Sequence, residues 1–198
     1  MNDFIKQRRP HNGMIYEEFE SYTISEAQEE LDNLSALELR RVEFTKLNIA
    51  RANRIIKTFK ANQELEFILN KIMENQIWMV LTEPWCGDSA QILPYIHLYT
   101  KDRPNISLRI LLRDQNLDIM NQYLINGSKS IPILVVFDEE GNEKLRWGPR
   151  PKNAQKLISK LQEDGLTKNE WTEKLHGYYA KNKGTDIVNE FIEILSVI

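Results

Sequence analysis

The spacing of apolar positions divides the chain into three stretches. Up to about residue 62 the pattern is helical. Glycine is absent from Met14 through Trp85, and Thr23-Ile-Ser-Glu26, Ser25-Glu-Ala-Gln28 and Ser35-Ala-Leu-Glu38 each fit the capping box that starts a helix. Leu65, Ile68, Leu69, Ile72 and Met73 then continue at helical spacing. From there, strand-length apolar runs alternate with helical segments. Strands are predicted near residues 77–82, 106–112, 133–137 and 144–147, and helices over 90–101, 117–124 and 154–161. Asp138-Glu-Glu-Gly141 is a turn. The last stretch is helical again, opening on the capping box Thr167-Lys-Asn-Glu170. Its stripe of Ile187, Phe191, Ile194, Leu195 and Ile198 needs an apolar partner, for which the main domain is the candidate.

Strands that alternate with helices imply a parallel pair joined by a crossover, and the short glycine turn before the last strand implies a hairpin. The order β-α-β-α-β-β-α therefore predicts an α/β fold, a mixed four-stranded central sheet with helices on both faces. The expected organisation is a helical N-terminal extension over 1–62, a main domain over 63–164 and C-terminal helices over 165–198 packed on it.

Length and charge narrow the function classes. The 198 residues carry 26 basic and 29 acidic side chains, a net charge of −3, so there is no general attraction to nucleic acid or anionic membranes. The longest apolar run, over 131–137, is too short to span a bilayer. Lys6, Arg8 and Arg9 have no apolar stretch behind them, and a cytoplasmic protein is expected. The charge is nevertheless uneven. Glu17 to Glu38 contains no Lys or Arg, whereas Arg40, Arg41, Lys46, Arg51, Arg54, Lys57 and Lys60 follow. Two helices of opposite charge explain this, with the basic face solvated and balanced by the acidic segment, although such a face could also hold an acidic partner.

One cysteine excludes an intrachain disulfide and a multi-cysteine zinc site within the chain. His11, His97 and His176 are dispersed, none at metal-ligand spacing with Cys86, and no metal or cofactor is expected. Chemistry concentrates in Trp85-Cys86-Gly87-Asp88-Ser89, after a predicted strand and at the start of a predicted helix. The unpaired N–H groups there point towards the sulfur and favour its thiolate, the nucleophile of disulfide exchange. Asp88 works against this, since a neighbouring carboxylate disfavours a second negative charge. A free cysteine is often a small core residue. The position of Cys86 at a helix start instead predicts a partly exposed, reactive thiol. Arg146 and Arg150 read as solvated loop charges, and Trp78 and Trp171 as core.

The sequence resembles the thioredoxin superfamily over roughly residues 63–164. Trp85-Cys86-Gly87 matches the family's W-C-G, and Pro94 the proline that kinks its active-site helix. Ser130-Ile131-Pro132 matches the loop with its cis-proline, and Phe137, Gly141 and Gly148 match its final hairpin. The whole chain is similar to longer bacterial thioredoxin-like proteins with helical flanks, including the segment from Tyr178 to Gly184. Two departures stand out. Ser89 occupies the place of the resolving cysteine, and Val80 that of the buried acid six residues before the nucleophile. Glu83 is near, but strand alternation does not bring it to the same spot. Cys86-Gly-Asp-Ser89 also resembles the Cys-Gly-Phe-Ser of monothiol glutaredoxins, which share an iron–sulfur cluster between two chains. Asp88 replaces that phenylalanine, and Trp85 fits thioredoxins better.

The resemblance implies thiol–disulfide exchange by a single thiol. Cys86 would be the catalytic residue with Ser89 beside it, while Trp85, Gly87, Asp88, Ile131 and Pro132 form the substrate surface. The Ile131–Pro132 bond is expected to be cis and close to Cys86, offering backbone to an extended chain. The partner would be a client protein or a low-molecular-weight thiol held as a mixed disulfide. The competing expectation is a redox-inactive module that keeps the groove for peptide or protein binding, because a fold alone does not decide activity.

Overall fold

Four strands, β1 (Gln76–Thr82), β2 (Ile106–Leu112), β3 (Ile133–Phe137) and β4 (Glu143–Trp147), form one sheet in the order β2-β1-β3-β4. The computed structural model describes residues 3–28 and 34–197. β1 and β2 are parallel, joined through the crossover helix α5 (Gly87–Thr100). β3 runs antiparallel to both β1 and β4. The mixed α/β sheet is the one that the apolar pattern predicts, with strand ends moved by at most a residue.

Strand alternation sorts the side chains into two cores, since successive residues point to opposite faces. Trp78, Val80, Ile110, Leu134 and Val136 pack with Ile92, Leu93 and Ile96 of α5. The same core takes in Ile187, Val188, Phe191 and Leu195 of α9 (Thr185–Leu195), so the C-terminal stripe does cover the main domain; Ile198 lies outside the described residues. Met79, Leu81, Leu111, Ile133, Val135 and Phe137 face the other way. There they meet Phe4 and Ile5 of α1 (Asp3–Lys6), Ile119 and Met120 of α6 (Leu117–Met120), and Tyr123. Cys86 and Ile131 belong to this second core.

The remaining helices stack outside these layers. α2 (Tyr16–Ala27) packs on α3 (Ala36–Thr58), and α3 lies on α5. α4 (Gln63–Leu69) packs on α9. α7 (Lys152–Glu163) and α8 (Lys168–Asn182) share a smaller core of Ala154, Ile158, Leu175 and Tyr179, with Trp171 half-buried against it. No helix among the described residues is long and apolar enough to cross a membrane.

Local expectations fared unevenly. The boxes at Ser35/Glu38 and Thr167/Glu170 do start helices, each Glu carboxylate accepting from the backbone N–H of the cap residue at 2.7 and 2.8 Å. Those at Thr23 and Ser25 lie inside α2, where the two hydroxyls donate to the carbonyls of Phe19 and Tyr22 instead. Both are satisfied within the helix, so neither starts one. The helix predicted over 117–124 is a single turn, because the chain bends after Met120 to bury Tyr123. α4 ends at Leu69, which leaves Met73 85% exposed rather than on the apolar face.

Phe191 links the C-terminal helix to the sheet. Its ring packs edge-on against Trp147 at 5.2 Å and Trp78 at 6.2 Å. Phe191→Ala is expected to lower unfolding free energy by about 3–5 kcal/mol, measured by urea denaturation. A loss near zero would mean that α9 is not part of the cooperative core.

Candidate active site around Cys86

β1 ends at Thr82, and the chain turns through Glu83-Pro84-Trp85 into α5, with Cys86 as the N-cap residue (φ −77°, ψ 113°). The turn is held from two sides. The Cys86 N–H donates to the Glu83 carbonyl at 3.1 Å, and the Asn48 side chain of α3 donates to the Pro84 carbonyl at 2.8 Å. Across from it, Ile131–Pro132 is cis, as expected, and the Cys86 thiol donates to the Ile131 carbonyl, Sγ to O 3.4 Å. Ser89 is buried one turn along, its hydroxyl accepting from Thr82. The structure therefore brings Cys86, Ser89, Ile131 and Pro132 together.

The environment of the sulfur corrects one expectation. Cys86 is 8% exposed, a buried thiol and not a partly exposed one. Burial and then the negative charge of Asp88 push its pKa up to about 11. The Ser89 hydroxyl and the backbone N–H groups of Ser89 and Asp88 pull the other way and are outweighed. Desolvation thus exceeds the helix-terminus effect here.

Asp88 is itself buried and fully engaged. Arg150 donates to Oδ2 through Nη2 at 2.5 Å and Nε at 3.2 Å, and the Tyr179 hydroxyl donates to Oδ1 at 2.7 Å. Arg150 is consequently no solvated loop charge. Burial lowers its pKa, but the Asp88 carboxylate more than compensates and holds it up. The same burial, with Asp88 alongside, lifts the Tyr179 phenol well above the ordinary value. Arg150 is delivered by the cis Gly148–Pro149 turn, where φ of Gly148 is +123° and a Cβ would fall 2.3 Å from the Pro132 carbonyl oxygen. Only glycine fits that approach. Arg146, by contrast, pairs with Glu143 over the ring of Tyr123.

The basic helix does not merely face solvent. Arg41 of α3 and Arg113 lie over the Trp85 ring, guanidinium to centroid 5.0 and 4.9 Å. Arg51 stands near Gly87, and Arg54 donates to Gln91 at 2.8 Å. Lys46, Lys57 and Lys60 keep the exposed, solvated role expected of the whole face. On α8, the His176 ring sits over Gly87, where a Cβ would meet it at 2.7 Å, and it bonds Gln91 at 3.3 Å. Burial and the positive charge of Arg51 drive its pKa down to about 4. His97 instead stacks on Tyr16 at 4.0 Å.

Val80 belongs to the core on the opposite face from Cys86, and Glu83 does not replace the missing acid. Its carboxylate accepts the Asp114 N–H at 2.7 Å, and burial raises its pKa. No cluster of three His, Cys, Asp or Glu among the described residues could hold a metal. Sequence reasoning missed Arg51, His176 and Tyr179. The available signal was Asp88: a carboxylate buried beside a thiol requires a cation and donors from elsewhere.

Two expected outcomes follow from these charges. Asp88→Asn removes the negative charge and leaves Arg150 unneutralised, both favouring the thiolate. Iodoacetamide alkylation of Cys86 at neutral pH should quicken on the order of tenfold, with the midpoint of its pH profile moved down; an unmoved midpoint would refute the electrostatic account. For His176, the depressed pKa means that stability is full above about 6.5 and is lost as pH falls towards 4. Urea denaturation at pH 7 and pH 4.5 should give a difference roughly 2 kcal/mol smaller in His176→Gln than in wild type.

No curated protein matches the chain. Two solved structures share the fold at 19% identity. One is a protein of unknown function, PA1234 from Pseudomonas aeruginosa, with TM-score 0.58 over 93% of this chain and 92% of that one. The other is a 4E10 HIV epitope-scaffold, with TM-score 0.56 over 94% of each chain. The family described as Thioredoxin matches residues 40–164, which takes in the sheet, the Cys86 turn and the loop of Pro132. The chain belongs to the thioredoxin family.

Proposed function

We propose that this protein carries out thiol–disulfide exchange through Cys86 alone, holding a client protein or a low-molecular-weight thiol as a mixed disulfide. The observation that carries this reading is the place of the sulfur: the N-cap of α5, 3.4 Å from the Ile131 carbonyl beside cis-Pro132, with Ser89 one turn along. The Cys86 proton leaves to solvent, and the thiolate attacks one sulfur of a disulfide. The old S–S bond breaks, a Cys86–substrate S–S bond forms, and the departing thiolate takes up a proton. No second cysteine can expel the bound half, so release needs an external thiol. The Ser89 hydroxyl can donate to the thiolate but cannot form a disulfide.

Burial of Cys86 and its high pKa favour a second reading, a redox-inactive binding module that keeps the surface around Trp85 and Pro132. Reactivity separates the two. Wild-type protein should form a mixed disulfide at Cys86 by mass spectrometry, slowly at neutral pH and about tenfold faster per pH unit towards the thiol pKa. It should reduce insulin poorly, Ser89→Cys should form an internal disulfide and reduce it better, and Cys86→Ser should show no thiol chemistry. A wild-type Cys86 inert to both alkylation and disulfides in the folded state leaves the binding module as the function.

A further inference from the structure

Beside Trp85, the cleft between α3 and α8 has a volume of about 540 Å³. Arg40, Arg41, Arg51 and Lys168 line it, against a single carboxylate, Glu173. Its walls also include the rings of Phe44, Trp85 and His176. Two of the three guanidinium groups are held in place by neutral partners. Arg40 lies over Phe44 at 5.5 Å and bonds Asn169 at 3.1 Å, and Arg51 bonds Asn48 at 2.7 Å. Arg41, stacked on Trp85, has a 3.4 Å ion pair with the half-exposed Asp114. Arg40, Arg51 and Lys168 make no ion pair among the described residues. Burial and the neighbouring Arg54 lower the pKa of Arg51, the cost of a cation held without an anion.

We propose that this cleft binds a small disulfide bearing carboxylates, and that it delivers one of its sulfurs to Cys86. The proposal rests on the exchange reading and names its substrate class. Fixed guanidinium groups recognise carboxylates by paired N–H···O bonds, and their prior immobilisation reduces the ordering cost of binding. The volume suits a tripeptide-sized molecule, and the aromatic walls suit its apolar parts. Trp85 forms one wall and is bonded directly to Cys86, while His176 lines the cleft and lies over Gly87. An occupant of the cleft thus lies against Trp85 and the ring over Gly87, the two residues that flank Cys86 in the chain. In the exchange, one sulfur of the anionic disulfide joins Cys86 and the other leaves as a thiolate, which takes up a proton; the Cys86 sulfur is oxidised and the departing sulfur reduced.

The test separates binding from chemistry. S-methylglutathione, which carries carboxylates but has no free thiol, should bind the full chain by calorimetry, and its diethyl ester at least tenfold more weakly. Arg40→Glu with Lys168→Glu, both exposed positions, should weaken S-methylglutathione at least tenfold while circular dichroism and thermal unfolding stay unchanged. Arg40→Gln alone should weaken it by a smaller factor, and 0.5 M salt should weaken wild-type binding. In the same proteins, oxidised glutathione should modify Cys86 at least tenfold faster than cystamine, a cationic disulfide, and the double variant should lose that preference. No binding, or binding equal for the ester or for the double variant, overturns the assignment. Binding as expected with an inert Cys86 overturns the exchange reading and leaves the carboxylate site standing.

Discussion

A carboxylate that is buried must be met by a cation and by hydrogen-bond donors, or it destabilises the fold. Asp88, in the first turn of the helix that carries Cys86, sets this requirement, and the surrounding architecture answers it. Arg150 arrives from the turn after β4, and Tyr179 from α8. The hairpin end of the sheet, the helix that carries Cys86 and the C-terminal helices therefore meet at one side chain. The same contacts close the site, because α8 also sets His176 over Gly87.

The charge of Asp88 and the burial of Cys86 act on the thiol in one direction. Both favour the protonated sulfur, and together they exceed the pull of the helix terminus. The thiol is consequently held protonated at neutral pH. Much of α8's attachment to the site is polar, through Tyr179, His176 and Asn169, while its apolar side is spent on α7.

α3 contributes to this site from outside the sheet. It steadies the turn through Asn48, covers one face of Trp85 with Arg41, and brings Arg51 to Gly87. Arg113, from the end of β2, covers Trp85 as well. A ring held by two guanidinium groups is fixed without being fully buried. The cations so placed give the mouth of the site a positive charge that the chain as a whole, at −3, does not have.

Much of the fold was legible in the sequence, because strand alternation and helical spacing are local: each face that must be buried is written in the residues of its own element. That is why the four strands, the mixed sheet and the covering role of Phe191 could be read before any contact was known. The Cys86 turn and the Pro132 loop were legible for a related reason, as both depend on residues adjacent in the chain. What only the tertiary structure decided is the state of the site. Whether the thiol is open or buried depends on Ile131 and the core of residues distant in the chain that it joins, and whether Arg150 is solvated depends on Asp88 lying within hydrogen-bond reach. The apparent capping boxes at Thr23 and Ser25 failed for the same cause: packing of α2 on α3 extended one helix through residues whose hydroxyls the helix itself could satisfy. Sequence spacing determines which face a side chain presents, but charge and burial are set by what comes to lie against it.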